Sequence, residues 1–456
     1  MARLMVSISG VRGIIGEGLS PEVALHFAQA FGTYCNGGPV VVARDSRTSG
    51  EMIQHAVVSG LMATGNPVIE LGICPTPTTQ MATEKLQAAG GIMITASHNP
   101  VMWNGLKLLA PDGLFLDSEQ SKQVVQLYQD RAFALKTWDD LGLVKTYDRA
   151  VQDHLDTVLH LPFIHTEQIR ARRFKVVADC INGAGAVIIP KLLKELGCDI
   201  VVLNGTPDGR FPRTPEPLPE NLGEVCKAVH QYGADLGVVV DPDSDRLALV
   251  SEKGIPLGEE YTLALAVDFV LQHRRGPVVV NVSTSQVIDD IARRYDCRVE
   301  RTRVGEINVA KLMREIGAVV GGEGNGGVIL PDVHLGRDAI VGITLILQKM
   351  AQTSKSLHQL FSELPQYKIV KTKIELPTGI DTAAVVESIR QKYQNENLDM
   401  TDGVKILRPH AWVQVRASNT EPILRVMAEA PTEQEAHALA QELKQATARI
   451  VSNPST

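Results

Sequence analysis

Leu236-Gly-Val-Val-Val-Asp241-Pro-Asp243-Ser-Asp245-Arg246-Leu-Ala-Leu-Val250 reads as an apolar strand, an acidic turn and a second apolar strand. A run of apolar residues that breaks into three carboxylates at alternate positions is the pattern of a buried strand ending in a functional loop. Like charges this close repel: at about 4 Å and an effective dielectric of about 20, each unscreened pair costs on the order of 4 kcal/mol. Either water separates Asp241, Asp243 and Asp245 or a cation sits among them, and an oxygen-only donor set suits Mg²⁺. Asp-x-Asp-x-Asp followed by Glu252 at the twelfth position imitates a calcium-binding helix-loop-helix. The sixth position is Arg246 where that loop needs glycine, and the flanks read as strands, so the imitation fails.

Outward from this stretch, short β-branched runs alternate with helical patterns. Val40-Val-Val-Ala precedes an amphipathic segment over 51–64, Lys175-Val-Val-Ala one over 187–196, and Pro277-Val-Val-Val one over 286–294. That alternation predicts βαβ units and mixed sheets covered by helices, repeated in three related domains. The C-terminal part predicts strands near 370–376 and 413–426 and helices over 381–393 and 432–450, an α+β lid. The expected fold is α/β, with three related mixed-sheet domains and a C-terminal α+β domain around a central cleft. Boundaries are expected at 1–148, 149–252, 253–365 and 366–456, with 138–147 as a linker and a core in each domain. The stretch 207–219, with five prolines, reads as a loop able to contact a neighbouring domain.

Three further loops have the same construction as the acidic one. Gly91-Ile-Met-Ile-Thr-Ala-Ser97-His98-Asn99-Pro100 delivers a hydroxyl and an imidazole into a turn that Pro100 keeps from continuing as helix. Ser97 reads as a nucleophile or phosphate carrier; a turn bonded to its own backbone explains this segment equally well. Ala318-Val-Val-Gly-Gly-Glu323-Gly-Asn325-Gly-Gly327 sets an acid and an amide on a backbone that a ligand can approach closely, so Glu323 and Asn325 could hold sugar hydroxyls. Val415-Arg416-Ala-Ser418-Asn419-Thr420-Glu421-Pro-Ile-Leu-Arg425 offers two guanidinium groups, hydroxyls and backbone amides to a phosphate; a plain polar hairpin is the structural alternative. Because the loops come from four regions, the site they form belongs in a cleft between domains.

Together with Ser9-Gly10-Val11-Arg12-Gly13, these segments resemble, in order and over essentially the whole chain, the α-D-phosphohexomutase superfamily of phosphoglucosamine, phosphomannose and phosphoglucose mutases. The resemblance implies that Ser97 carries the phosphoryl group and that Ser97, Asp241, Asp243 and Asp245 hold Mg²⁺. It implies that Glu323 and Asn325 grip the sugar, and that Arg416, Ser418, Asn419, Thr420 and Arg425 bind the phosphate that stays put. Arg12, Lys107 and Arg246 are the cations near these motifs able to stabilise the transferring oxygens, and His98 orients the loop. Many bacterial members carry Ser and His where this chain has Asn325 and Gly327, which leaves His334 to take that histidine's role. The run Gly-Glu-Gly-Asn-Gly-Gly with His334-Leu-Gly-Arg337-Asp338 is similar to archaeal-type mutases, while Thr420-Glu421-Pro422 and Val304-Gly305-Glu306 are closer to phosphoglucosamine mutases. The implied reaction moves a phosphoryl group between O6 and O1 of a hexose phosphate, glucosamine phosphate first, through a phosphoserine and a hexose bisphosphate. Mannose and glucose phosphates are the alternative substrates.

The 456 residues and net charge of −7 give no basic footprint for nucleic acid and no polybasic run for a membrane surface. Six scattered cysteines without a Cys-x-x-Cys pair read as reduced residues of a cytoplasmic monomer or homodimer. Two other classes fit parts of the pattern: a sugar phosphatase, which would let water finish the reaction, and a silent sugar-phosphate sensor, which would not need both the serine and the aspartates.

Overall fold

The computed structural model describes residues 4–7, 10–377, 380–417 and 423–452. Its first sheet has β1 (Met5–Ser7), β2 (Gly10–Ile14), β3 (Val40–Arg44), β4 (Val68–Ile73), β5 (Gly90–Ile94), β6 (Trp103–Leu109) and β7 (Val144–Thr146), in the order β1-β2-β6-β5-β3-β4-β7. Strands β3, β4, β5 and β7 are parallel, and β6 returns antiparallel to β5. The second sheet is β8 (Lys175–Asp179), β9 (Asp199–Leu203), β10 (Leu236–Val240) and β11 (Leu247–Ser251), ordered β11-β10-β8-β9. The third is β12 (Val278–Asn281), β13 (Val299–Thr302), β14 (Val320–Glu323) and β15 (Gly327–Ile329), ordered β13-β12-β14-β15.

One plan underlies all three. Each has a first strand flanked by the second and third in parallel, and a fourth strand hairpinned antiparallel onto the third: β3-β4-β5-β6, β8-β9-β10-β11 and β12-β13-β14-β15. The third-to-fourth turn is the one that holds Ser97, Asp241–Arg246 and Asn325 respectively. It leaves the carboxyl end of a parallel strand, where α/β sheets present ligands. The strands β3, β10 and β12 are runs of valine buried on both faces, as β-branched residues in covered parallel sheets should be.

The fourth sheet is antiparallel throughout: β16 (Lys368–Glu375), β17 (Asn397–Asp399), β18 (Val404–Arg408), β19 (Ala411–Ala417) and β20 (Ile423–Ala430), ordered β16-β20-β19-β18-β17. Helices Thr382–Lys392 and Glu433–Ser452 pack on it around Ile389, Val415, Val426 and Leu443, which completes the expected α+β unit. Among the described residues no helix is long and apolar enough to cross a membrane.

Two expectations need correction. The segment expected as a linker contains β7, paired in register Val68↔Val144 with β4. An edge strand needs only backbone pairing, so its exposed side chains carried no periodic signal. The second and third sheets also share a core on one face: one apolar cluster runs from Leu155 through Val238 and Leu247 to Val280, Leu345 and Leu364, while smaller clusters around Val177, Val225 and Val239 and around Val279, Val309 and Met313 remain separate. Helices Glu259–His273 and Ala339–Thr353, apolar on most sides, are buried between the two sheets.

Candidate active site

The acidic turn is folded inward. Asp241, Asp243 and Asp245 are all within 1 % of complete burial, and one carboxylate oxygen from each lies within 4.8 Å of the others. Asp241 Oδ1 accepts the Arg246 N–H at 3.2 Å. Asp243 Oδ2 accepts from the Thr76 hydroxyl (2.6 Å) and Lys107 Nζ (2.6 Å), and Asp245 Oδ2 from Lys107 (3.2 Å) and Arg337 Nη2 (2.7 Å). Asp243 Oδ1 and Asp245 Oδ1 are buried and have no hydrogen-bond partner among the described residues. Unpartnered buried carboxylate oxygens are costly, and two of them beside Asp241 fit a hard divalent cation.

Charge sorts within the cluster. Burial, reinforced by Asp245 and Asp243, raises the Asp241 carboxyl well above the ordinary range. Burial also opposes ionisation of Asp245, but Arg337 and Lys107 overcome it and hold that carboxyl low. For Lys107, burial is the largest influence and lowers it, yet Asp243 and Asp245 together leave it raised.

Ser97 meets this cluster. The serine is 2 % exposed, adopts φ +49°, and donates its hydroxyl to Asp241 Oδ2 at 3.1 Å across a separation of 144 residues. The positive φ of a non-glycine residue is strain that surrounding contacts must hold. Here they are dense. The Ser97 N–H donates to Thr95 Oγ1 (2.9 Å), the Thr95 hydroxyl to Asp45 Oδ2 (2.6 Å), and Arg47 pairs with the same carboxylate (3.0 Å). Fully buried Arg47 then donates to the carbonyls of Ser97 (2.6 Å), Asn99 (2.7 Å), Pro100 (2.7 Å) and Trp103 (3.0 Å). His98 Nδ1 lies 3.4 Å from Ser97 Oγ, and Arg246, with burial second, holds the imidazole well below its usual value, so it is neutral.

Beside Ser97, at His98 and Asn99, opens a cleft of about 540 Å³ lined by residues from the first, third and fourth sheets and by Glu216 and Arg246 from loops of the second; Ser97 and the three aspartates are not among its lining residues. Arg12, His98, Lys107, Arg246, Glu323, Asn325, Arg416 and Arg425 all reach it. Glu323 Oε1 accepts from Asn281 Nδ2 (2.9 Å) and Gly305 N (3.0 Å), and Asn325 Oδ1 from Gly327 N (3.2 Å). Arg416 and Arg425 face each other across the β19-β20 register, in the hairpin weighed as the alternative for this segment. The cradle residues Ser418, Asn419 and Thr420, and Ser9 of the N-terminal motif, lie outside the described residues.

His334 is a correction. Its Nε2 sits 3.1 Å from Asp338 Oδ2, which also holds His154 at 2.8 Å, while Asp338 Oδ1 caps the helix Ala339–Thr353. The imidazole is part of that buried cluster and is not among the residues lining the cleft. Several cleft and support residues went unread in the sequence: Arg47 and Asp45 under Ser97, and Arg337, Glu306 and Glu260 at the third sheet. Asp45 and Arg47 had one local signal, charges at the end of an apolar run in Val40-Val-Val-Ala-Arg-Asp45-Ser-Arg47, and the others had none. Their partners are too distant in sequence for spacing to reveal them. The proline-rich loop does reach its neighbour: Phe211 stacks under Arg47 at 5.0 Å, and Glu216 takes Arg246 Nη1 at 2.7 Å at the cleft wall.

Family models match the chain in four consecutive pieces, the phosphoglucomutase/phosphomannomutase α/β/α domains I (3–135), II (152–254) and III (258–367) and the C-terminal domain (372–446). A protein of Thermococcus kodakarensis named phosphoglucomutase/phosphomannomutase is 42% identical over 94% of both chains. One of Methanopyrus kandleri named probable phosphoglucosamine mutase is 38% identical over 97% of both. Among solved structures, a phosphoglucomutase/phosphomannomutase family protein from Burkholderia thailandensis superposes with a TM-score of 0.86, 25% identity and 99% coverage of both chains.

Proposed function

The chain belongs to the phosphoglucomutase/phosphomannomutase family of α-D-phosphohexomutases, isomerase-class phosphotransferases, and from this premise we propose that it interconverts glucosamine 6-phosphate and glucosamine 1-phosphate through a phosphoserine at Ser97. The observation that carries the reading is the 3.1 Å contact between Ser97 Oγ and Asp241, made where four loops share one cleft. Phosphoserine 97 donates its phosphoryl group to the free hydroxyl of the hexose phosphate: the new sugar O–P bond forms as the Ser97 Oγ–P bond breaks, and the proton lost by the sugar hydroxyl is balanced by the one that restores the Ser97 hydroxyl. The bisphosphate turns in the cleft and returns its other phosphoryl group to Ser97. Both phosphates of the intermediate are accounted for and none is lost to water.

The protein's contribution is position and charge. Arg12, Lys107 and Arg246 face the transferring oxygens, Glu323 and Asn325 hold the ring, and Arg416 with Arg425 anchors the distal phosphate. His98 is neutral beside Arg246 and orients the serine loop instead of adding charge. Asp241, Asp243 and Asp245 would hold Mg²⁺, which when bound neutralises the negative charge of the phosphoserine. The name of the Thermococcus kodakarensis relative favours a second reading, mannose and glucose phosphates as substrates of the same site. We infer that the enzyme acts in the cytoplasm, as a monomer or homodimer.

A coupled isomerisation assay with glucosamine, mannose and glucose phosphates, with and without Mg²⁺, tests this. Isomerisation with highest kcat/KM for glucosamine phosphate is expected, and Ser97→Ala should abolish it. Release of inorganic phosphate would instead indicate a phosphatase, tight binding without turnover a sensor, and full activity of Ser97→Ala would end the carrier role.

A further inference from the structure

Gly327 and Arg337 compete for one space. A Cβ on Gly327 would lie 2.2 Å from Arg337 Cδ and 2.7 Å from its Cγ, so the arginine stem runs where a side chain of the sugar loop would go. The guanidinium, 8 % exposed on the cleft wall, then spreads over three carboxylates. Nε takes Glu306 Oε2 at 2.9 Å, Nη1 takes Glu323 Oε2 at 3.0 Å, and Nη2 takes Asp245 Oδ2 at 2.7 Å. The other oxygen of Glu323 is held by Asn281 and Gly305, so three of the roughly four acceptor sites of this carboxylate are engaged and its direction is set.

We propose that Arg337 is a positioning residue that occupies the side-chain space left by Gly327, aims Glu323 at the hexose, and ties that carboxylate to Asp245 of the acidic turn. The proposal rests on the mutase reading. It assigns to Arg337 the place that the sequence had left for His334. The sugar loop thereby gains a permanent cation at this point, with no proton to exchange. It also makes two demands on Asp245 compete: Arg337 Nη2 shares Oδ2 with Lys107, while Oδ1, 4.0 Å from Arg246 Nε, makes no hydrogen bond among the described residues.

The test uses the full chain, with Arg337→Lys and Gly327→Ala, the latter pushing the guanidinium aside without touching it chemically. Both should raise KM for the preferred hexose phosphate by about tenfold or more, exceeding any fall in kcat. Both should tighten Mn²⁺ binding to the substrate-free protein, followed by electron paramagnetic resonance, by about threefold or more, because Asp245 Oδ2 gives up its hydrogen bond to the Arg337 guanidinium. These opposite signs separate the role from a packing defect: weakened Mn²⁺ binding with raised KM, or both constants within about twofold of wild type, overturns the proposal. In an Arg337→Ala background Gly327→Ala should add nothing further; additive effects would also overturn it. Should that background fail to fold, the two single variants decide. If wild type isomerises no hexose phosphate, the mutase reading has failed, and the Mn²⁺ measurement, which needs no turnover, still decides whether Arg337 governs Asp245.

Discussion

Ser97 offers one hydroxyl, donated to Asp241 Oδ2 in a pocket whose other contacts are made by backbone and by neighbouring residues. Ser97→Ala therefore removes one hydrogen bond and should change unfolding free energy by only about 1 kcal/mol in urea titrations, while mutase turnover falls to background. Glu260 is the opposite case, a carboxyl that burial keeps from ionising near neutral pH. It is buried against the sugar loop, accepts the Ser285 N–H at 3.0 Å, and burial, only partly offset by Lys371, raises its carboxyl to about 8; Glu259 and Glu429 push the same way. A carboxyl whose folded value lies above its unfolded one stabilises the fold fully below the unfolded value and loses that contribution as pH rises through the folded one. Glu260→Gln should thus gain on wild type between pH 6 and pH 9, by about 2 kcal/mol in urea-derived stability; an unchanged difference would show that the group ionises freely. At this scale, what the sequence displayed was chemistry packed into neighbours, as in Asp241-x-Asp243-x-Asp245. It could not display Glu260 or Arg337, whose meaning comes from groups far along the chain.

The element that carries Ser97 is a hairpin turn braced from the next strand over. Residues 95–102 leave β5 and return as β6, and Arg47, from the end of β3, collects four carbonyls from that turn and its edge. A lysine has neither the reach nor the planar fork to serve them together. Arg47→Lys should cost about 2 to 4 kcal/mol of stability through the unpaired carbonyls and the buried Asp45, and it should speed amide exchange at Ser97 and Asn99 before it affects distant strands. Uniform exchange across the first sheet would argue that the clamp is only one core contact among many. Strand–turn–strand units with β-branched flanks were readable from sequence, as at Val238–Leu249. The β7 edge was not, since nothing in Leu143-Val144-Lys145-Thr146 alternates and its pairing with Val68–Glu70 is purely a backbone matter.

Across the molecule, three copies of one sheet plan aim their third turns at a common point, and the fourth sheet brings Arg416 and Arg425 over it. The repetition of strand, small-residue loop and helix announced the three copies, but not the large core that the second and third share on one face, because burial between domains looks in sequence like burial within one. The shared centre is also balanced before any ion arrives: Lys107 bridges Asp243 and Asp245 from the first sheet, Arg337 reaches Asp245 from the third, and Asp241 accepts from Ser97 and from the Arg246 amide. Structural metal sites supply the folding energy themselves, so chelation unfolds the protein. Here two buried cations already offset the aspartates, so the metal's contribution to stability is limited to ordinary ligand linkage, about 2.7 kcal/mol at a hundredfold excess over its dissociation constant. Exhaustive treatment with EDTA should accordingly stop isomerisation, leave far-ultraviolet circular dichroism unchanged and lower Tm by only a few degrees; cooperative unfolding on chelation would show that the lysine and arginine do not hold the three loops together without the metal.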